Sequence, residues 1–210
     1  MWDETVARVI ERRANPATRI SGASQVALVP PVDEVAIRAA EHALGFALPA
    51  FLKKLYTSVG NGGFGPGFGL VGLQGGYVSA DHSLVDWYHS VRAADRAEDT
   101  QWPHQVVPIC DWGCLIFSCV DCSSAEGRVL AYHAGELTWD ASREHVLSYE
   151  RAFAPTHDGV AAFFDDWARG VDLWSLMFED DPSKPPRIGI NPFTRKPMEF
   201  RRIQRLRRQT

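Results

Sequence analysis

No run of apolar residues in this chain is long enough to span a bilayer. The opening Met1-Trp2-Asp3-Glu4 also lacks the basic-then-apolar layout of a secretory signal. A cytoplasmic protein without a membrane partner is expected. Cysteine is scarce: Cys110, Cys114, Cys119 and Cys122 are the four in the chain. Their spacing invites a zinc site. However, Cys114 and Cys119 fall in one apolar run that reads as a strand, and an odd separation on a strand points two side chains to opposite faces. Reduced thiols packed as small apolar groups are the favoured reading, and no metal or other cofactor is expected. No internal repeat is present.

Reactive constellations are thin as well. Asp81-His82, Asp140 with His145, and His157-Asp158 read as surface or capping groups rather than acid–base pairs. Ser118 and Ser148 lack a nucleophile-elbow context. Glu179-Asp180-Asp181 reads as a solvated acidic turn rather than a cation site. Phosphate loops place glycines before a helix and add a lysine. Here Gly62-Gly63-Phe64-Gly65-Pro66-Gly67-Phe68-Gly69 follows a helix, precedes a strand and has no lysine. No catalytic or cofactor-binding residue is expected, and the chain reads as a non-enzyme. A zinc or acid–base hydrolase built on Cys110, Cys114, His82 and Asp111 is the weakest alternative.

Charge is short where a nucleic-acid binder would need it. Residues 195–210 carry seven Lys/Arg against Glu199, a local +6, so the remaining residues hold −10 of the overall −4. An acidic body disfavours nucleic acid and attracts basic partners. The basic tail either grips phosphate or folds back on that body.

What is present is enough apolar sequence, over 210 residues, to bury a core without staples. The stretch from Gly45 to Leu73 organises the chain. Pro49 suits a first helical position. Phe51, Leu52, Leu55, Tyr56 and Val59 make one apolar helical face, with Lys53 and Lys54 towards water. Gly60 or Asn61 can take the left-handed stop, and Asn61-Gly62-Gly63 forces a reversal into a short buried strand at Leu70–Leu73. Phe64 and Phe68 are read as tucked onto the core; if either is exposed, the loop joins a binding surface.

Two helices precede this corner. Residues 2–13 place Trp2, Val6, Val9 and Ile10 on one face, and Asn15-Pro16 ends the helix. Asp33 caps a second helix faced by Val35, Ala36, Ala39, Ala40, Ala43 and Leu44, stopped at Gly45. A third helix is placed between Asp81 and Ala94, started by Asp81-His82, and a polar loop over Asp95–Pro103. The clearest β signal is Val106–Cys110 and Cys114–Val120 flanking Asp111-Trp112-Gly113. Pro108 implies an edge or an irregularity. Trp112, at the tip, is either a recognition anchor or folded onto the adjoining strand. Arg128–His133 gives a third strand, and Leu147–Phe153 is strand or irregular. Asp158 caps an apolar helix of Val160, Phe163, Phe164, Trp167, Val171 and Trp174. Glu179–Pro186 is extended, Asn191–Thr194 turns with Phe193 docking on the body, and Arg201–Arg208 forms a short helix or a free tail.

The order Leu44-Gly45…Leu48-Pro49, then a helix, then Asn61-Gly62-Gly63, resembles the signature of the SUKH superfamily. Asp111-Trp112-Gly113, Asp121 and Gly127 extend the likeness, which covers roughly Val32 to Trp174. The resemblance implies an α+β fold: one domain of N-terminal helices on a mainly antiparallel sheet, with a closing C-terminal helix. Gly45, Leu48, Pro49, Asn61, Gly62, Gly63 and Gly113 specify the fold. The divisions expected are an N-terminal helix and connection (1–31), the SUKH-like domain (32–178), and a linker with basic tail (179–210). By resemblance, the function is non-catalytic protein binding, foremost as an immunity protein that occludes a cognate toxin with a basic surface, such as a nuclease. A regulatory scaffold of the fungal cell-wall type is the alternative. Phe64, Phe68, Asp111 and Trp112 are the candidate partner-binding residues.

Overall fold

The computed structural model describes residues 2–15, 29–93, 102–139, 141–142, 146–177 and 187–200. Asp140, His145, most of the 15–31 connection and of the 95–103 loop, Glu179–Pro186 and Arg201–Arg208 lie outside the described residues.

Helix α1 (Asp3–Ala14) buries Val6 and Val9, starts with Asp3 and Glu4 and ends with Arg12 and Arg13, as the helix dipole favours. Ile10 is left exposed. In α2 (Glu34–Leu44) the Asp33 carboxylate accepts from the Ala36 amide at 2.9 Å, and Gly45 stops the helix at φ +81°. Its buried face is Ile37, Ala40 and Leu44, while Val35 faces water. The expected face was therefore rotated, because the alanine run carries too little contrast to fix its phase.

Helix α3 (Ala50–Ser58) buries Phe51, Leu52, Leu55 and Tyr56. Pro49 sits one position earlier than expected, as the N-cap with extended ψ 141°. The left-handed residues after α3 are Gly62 and Gly63, rather than Gly60 or Asn61. Asn61 is instead a buried connector. Its amide donates to the Pro30 carbonyl, its carbonyl accepts from Tyr77 N, and its side-chain oxygen accepts from Leu73 N at 2.7 Å. At Gly62 a Cβ would stand 2.6 Å from the Leu70 carbonyl oxygen, so both dihedral and space demand glycine.

Helix α4 (Leu84–Ala93) begins after a reciprocal Ser83–Asp86 cap. Asp81-His82 does not start it; Ala80 and Asp81 are left-handed turn residues ahead of it.

The strands follow as β1 (Val106–Asp111), β2 (Ile116–Asp121), β3 (Arg128–His133), β4 (Thr138–Trp139), β5 (Val146–Ser148) and β6 (Phe153–His157). The main sheet is antiparallel in the order β1-β2-β3-β6, and β4-β5 is a separate short pair. Pro108 lies on edge strand β1, beside a register shift between Pro108 and Cys110. Leu70–Leu73 is buried but shorter in pairing than a strand: Leu70 bridges Cys110, and Val71 N donates to Ile109 O along that edge. Cys114 belongs to the turn, not to β2 as expected.

Both sheet faces are covered. Val107, Cys110, Val120 and Val129 pack with Leu52, Leu55, Phe163 and Phe164 on the helical side. Val106, Phe117, Cys119, Leu130 and Tyr132 pack with Trp102, Tyr149 and Phe153 on the other. Each buried aromatic contributes roughly 1.5–3 kcal/mol.

Helix α5 (Val160–Arg169) lies on the sheet and buries Val160, Phe163, Phe164 and Trp167. Its N-cap is Gly159, with no side-chain bond, rather than Asp158. It ends at left-handed Gly170, so Val171 and Trp174 are not on it; Trp174 lies on α6 (Leu173–Met177). α1 is pinned to α5 through Asp165, which accepts from Arg8 Nε at 2.9 Å and Arg169 Nε at 2.6 Å.

Strands β7 (Arg187–Ile190) and β8 (Pro197–Phe200) form a hairpin absent from the sequence expectation. Its turn at Asn191–Thr194 is as expected, and Phe193 packs against Tyr149 and Phe153. Arg195 holds the hairpin down, donating to the buried Asp121 carboxylate at 2.7 Å while Arg128 donates to its other oxygen at 2.9 Å. Burial pushes the Asp121 carboxyl up, but hydrogen bonds from Ser123 and Arg128 and the charge of Arg195 outweigh it and hold the group below the usual carboxylate range.

Candidate functional site

Three loops meet at the end of the β1-β2 hairpin, and Asp111 joins them. Its backbone carbonyl accepts from Phe68 N at 2.7 Å, tying in the glycine loop. One carboxylate oxygen accepts from Ser79 Oγ at 2.7 Å, tying in the 77–83 turn. The other accepts from Gly113 N at 2.7 Å, shaping the hairpin tip. This candidate residue is therefore half-buried, with both oxygens bonded inside the chain.

Trp112 is folded down. Its indole N–H donates to Ser118 Oγ at 2.9 Å, and its ring lies 5.7 Å from that of Trp174. Phe64 and Phe68 part company. Phe64 is buried against Phe164, 6.2 Å between rings, with the Arg13 guanidinium over it. Phe68 is 41% exposed and leans on the backbone of Gly113.

Sequence reasoning missed Val78, Leu115 and Val171 as surface groups. Seven large apolar side chains stand exposed among the described residues, and Phe68, Val78, Leu115 and Val171 are four of them. Phe68, Val78 and Leu115 belong to the three loops gathered at this end, and Val171, in the link between α5 and α6, lines the cleft beside them. Leu115 is 60% exposed.

The same end holds most of the backbone strain. Six non-glycine residues among those described have positive φ, and four are here: Ala80, Asp81, Cys114 and Leu115. They form two-residue turns, with Ser79 and His82 exchanging both backbone bonds and Ile116 N donating to Gly113 O. Turns of this hand favour Asn-Gly or Gly-Gly, because both central residues need φ > 0. Ala-Asp and Cys-Leu fill them here, at a cost of about 1–2 kcal/mol per residue. Such outliers cluster at active sites, ligand clamps and switch regions.

Beside the tip is a shallow cleft of about 170 Å³ between the glycine loop and α6. Pro66, Gly67, Trp112, Trp167, Asp172 and Trp174 are among its walls. It is smaller than the roughly 300–1,000 Å³ of ordinary small-molecule sites. At Gly67 a Cβ would come 2.2 Å from the Asp111 carbonyl oxygen, so this close approach of loop to hairpin requires glycine.

Among the described residues, no three His, Cys, Asp or Glu side chains converge as a metal site would need. His157 Nε2 meets Asp166 at 3.3 Å, and His82 stacks on Trp87 at 4.7 Å. Cys110 and Cys119 are buried, Cys122 is half-buried and Cys114 is exposed. Burial pushes the Cys110 and Cys119 thiols well up, away from reactivity. No helix among the described residues is long and apolar enough to cross a membrane.

A protein-family model, the SMI1 / KNR4 family (SUKH-1), matches residues 31–169. The chain belongs to this family. Curated proteins provide no match. SUKH proteins are in general non-catalytic and act through protein–protein contacts. The matched span runs from just before α2 to the last residue of α5, leaving α1, α6 and the C-terminal hairpin outside it. Within the SUKH span, Gly45 is exposed and serves as the left-handed stop of α2, while other motif residues are packed structurally. Leu48 is buried and donates its amide to Glu41 at 2.9 Å. Pro49 packs so closely on Gly127 that a Cβ there would lie 2.5 Å away. The Asn61-Gly62-Gly63 corner and Asp111 together hold the glycine loop over β1.

Proposed function

We propose that this SUKH protein is an immunity protein that neutralises a toxin domain with a basic surface, binding it through the hairpin-tip face. The observation that carries this reading is the pair of strained turns. Glycine or asparagine would fill Cys114 and Leu115 more cheaply, yet the chain holds a large apolar residue there in water. A side chain kept at such cost serves something outside the fold. Phe68, Trp112 and Leu115 would make the contact, Asp111 would position the three loops, and Phe64 would support the glycine loop from beneath. Occlusion needs no reactive group, consistent with the sparse ionisable chemistry of this face. The acidic body would speed encounter with a basic partner.

The test is capture of purified toxin domains, nucleases with basic surfaces among them, followed by titration calorimetry. Wild-type protein should retain at least one, and Leu115→Asp should lose it. Retention of none across a broad panel, or equal binding by Leu115→Asp, overturns the reading. A partner captured instead from cell-wall or signalling proteins would assign the chain to the regulatory side of the family.

A further inference from the structure

The cleft beside the hairpin tip has a chemistry of its own. Its walls are three indoles, Trp112, Trp167 and Trp174, with Pro66 and Gly67 as the loop side. Asp172 is the one charged residue among the lining groups. It caps α6, accepting from Ser175 N at 3.1 Å and Ser175 Oγ at 2.6 Å, so the helix start fixes where its carboxylate stands. Trp112 is equally fixed, by Ser118. The rings of Trp112 and Trp174 are tilted by 51° with centroids 5.7 Å apart, and both line the cleft.

We propose that this cleft receives one cationic side chain, arginine or lysine, from the protein partner; this rests on the protein-binding reading above. Indole faces attract cations within about 6 Å of the ring centroid. The aliphatic stem of a long cationic side chain covers apolar wall while its head stays at the polar rim, which is where Asp172 lies. The volume suits a single side chain and not a cofactor. Charge complementarity favours the same occupant, because outside residues 195–210 the chain carries −10. The fold already makes this contact once within itself: the Arg12 guanidinium lies 5.3 Å from the Trp167 ring centroid, and Arg12 is not among the cleft's lining residues. A neutral apolar anchor would use the indoles but would gain nothing from a carboxylate at the rim.

The experiment uses the full-length protein and blocked amino-acid amides as probes. Indole N–H resonances are followed by NMR while N-acetyl-arginine methylamide, its lysine counterpart or its leucine counterpart is added. Arginine and lysine should give saturable shifts at Trp112 and Trp174, weakened by added salt, and leucine should give little. Asp172→Asn keeps the cap and should bind arginine about threefold more weakly, in keeping with an exposed charge pair. Trp174→Leu, confirmed folded by its thermal melt, should lose the shift. Leucine binding as well as arginine, no saturable shift with either cation, or an unaltered Asp172→Asn would each overturn the proposal. Because no toxin is present, these failures are separate from failure of the capture experiment.

Discussion

At the scale of the residue, backbone strain is concentrated at the hairpin-tip end, which holds four of the six described non-glycine residues with positive φ. Leu115 occupies the second central position of a left-handed two-residue turn at φ +58°. Replacing it by glycine relieves the clash of Cβ with its own carbonyl, while glycine loses more freedom on folding. The net expectation for Leu115→Gly is a gain of roughly 0.5–1 kcal/mol in a urea melt. The same variant should bind a partner at least about tenfold more weakly, as loss of an interface anchor would. A loss of stability would remove the functional argument from this turn. Gly62 gives the opposite case. At φ +82°, with the Leu70 carbonyl 2.6 Å from any added Cβ, Gly62→Ala should cost about 2–4 kcal/mol, read from the shift of the denaturation midpoint. One residue teaches that glycine is absent where it would be cheap, the other that glycine is present where nothing else fits.

At the scale of the element, legibility depended on how local each signal was. Asp33 capping α2 and Gly45 ending it were readable because the cap chemistry lies within a few residues of the helix it governs. The two strands flanking Trp112 were readable as apolar runs, but their turn was misplaced by two residues. Asp-Trp-Gly carries ordinary turn residues and Cys-Leu does not; backbone bonds across the turn, with Leu115 O accepting from Ala134 N and Asp111 bonded to Gly113 N, hold the latter in a left-handed turn. Val171 and Trp174 continued the helical spacing of α5, yet Gly170 ends that helix, and a lone glycine in a periodic run is a weak stop signal. The exposed group at the candidate face was therefore hidden, since Leu115 inside an apolar run reads as core. The β7-β8 hairpin was obscured for a related reason: its partner, Asp121, lies 74 residues away from Arg195. That latch should respond to acid. The folded-state carboxyl of Asp121 lies below its unfolded value, so its stabilisation is complete above about pH 4. It is lost as pH falls through the depressed folded value. Amide exchange in 187–200 should rise on acidification before the central sheet opens. In Asp121→Asn, exchange there should already be fast at neutral pH, with a stability loss of about 3 kcal/mol for two guanidinium groups left facing a neutral amide. Uniform exchange across sheet and hairpin would show that the latch does not control the element.

At the scale of the whole molecule, charge and shape are divided between different parts of the chain. The matched family span supplies the sheet, the glycine loop and the hairpin tip. The strongly basic stretch lies beyond it, at the far end of the sequence. If the partner is basic, that stretch works against encounter while the body works for it. Ending the chain at residue 200 removes five arginines and no acidic residue, taking the net charge from −4 to −9. Long-range steering depends on such totals and is screened within about 10 Å at 0.1 M salt. The shortened protein should therefore associate with a basic toxin domain several-fold faster at low ionic strength, measured by stopped-flow fluorescence. Its rate should fall more steeply with added salt than that of the full chain. If the partner is held by contacts at the hairpin tip, as proposed, dissociation should change little, because rim and remote charges act mainly on the approach of the two molecules. Slower association of the shortened chain would mean that the basic stretch itself meets the partner, and would require an acidic surface on the toxin in place of a basic one.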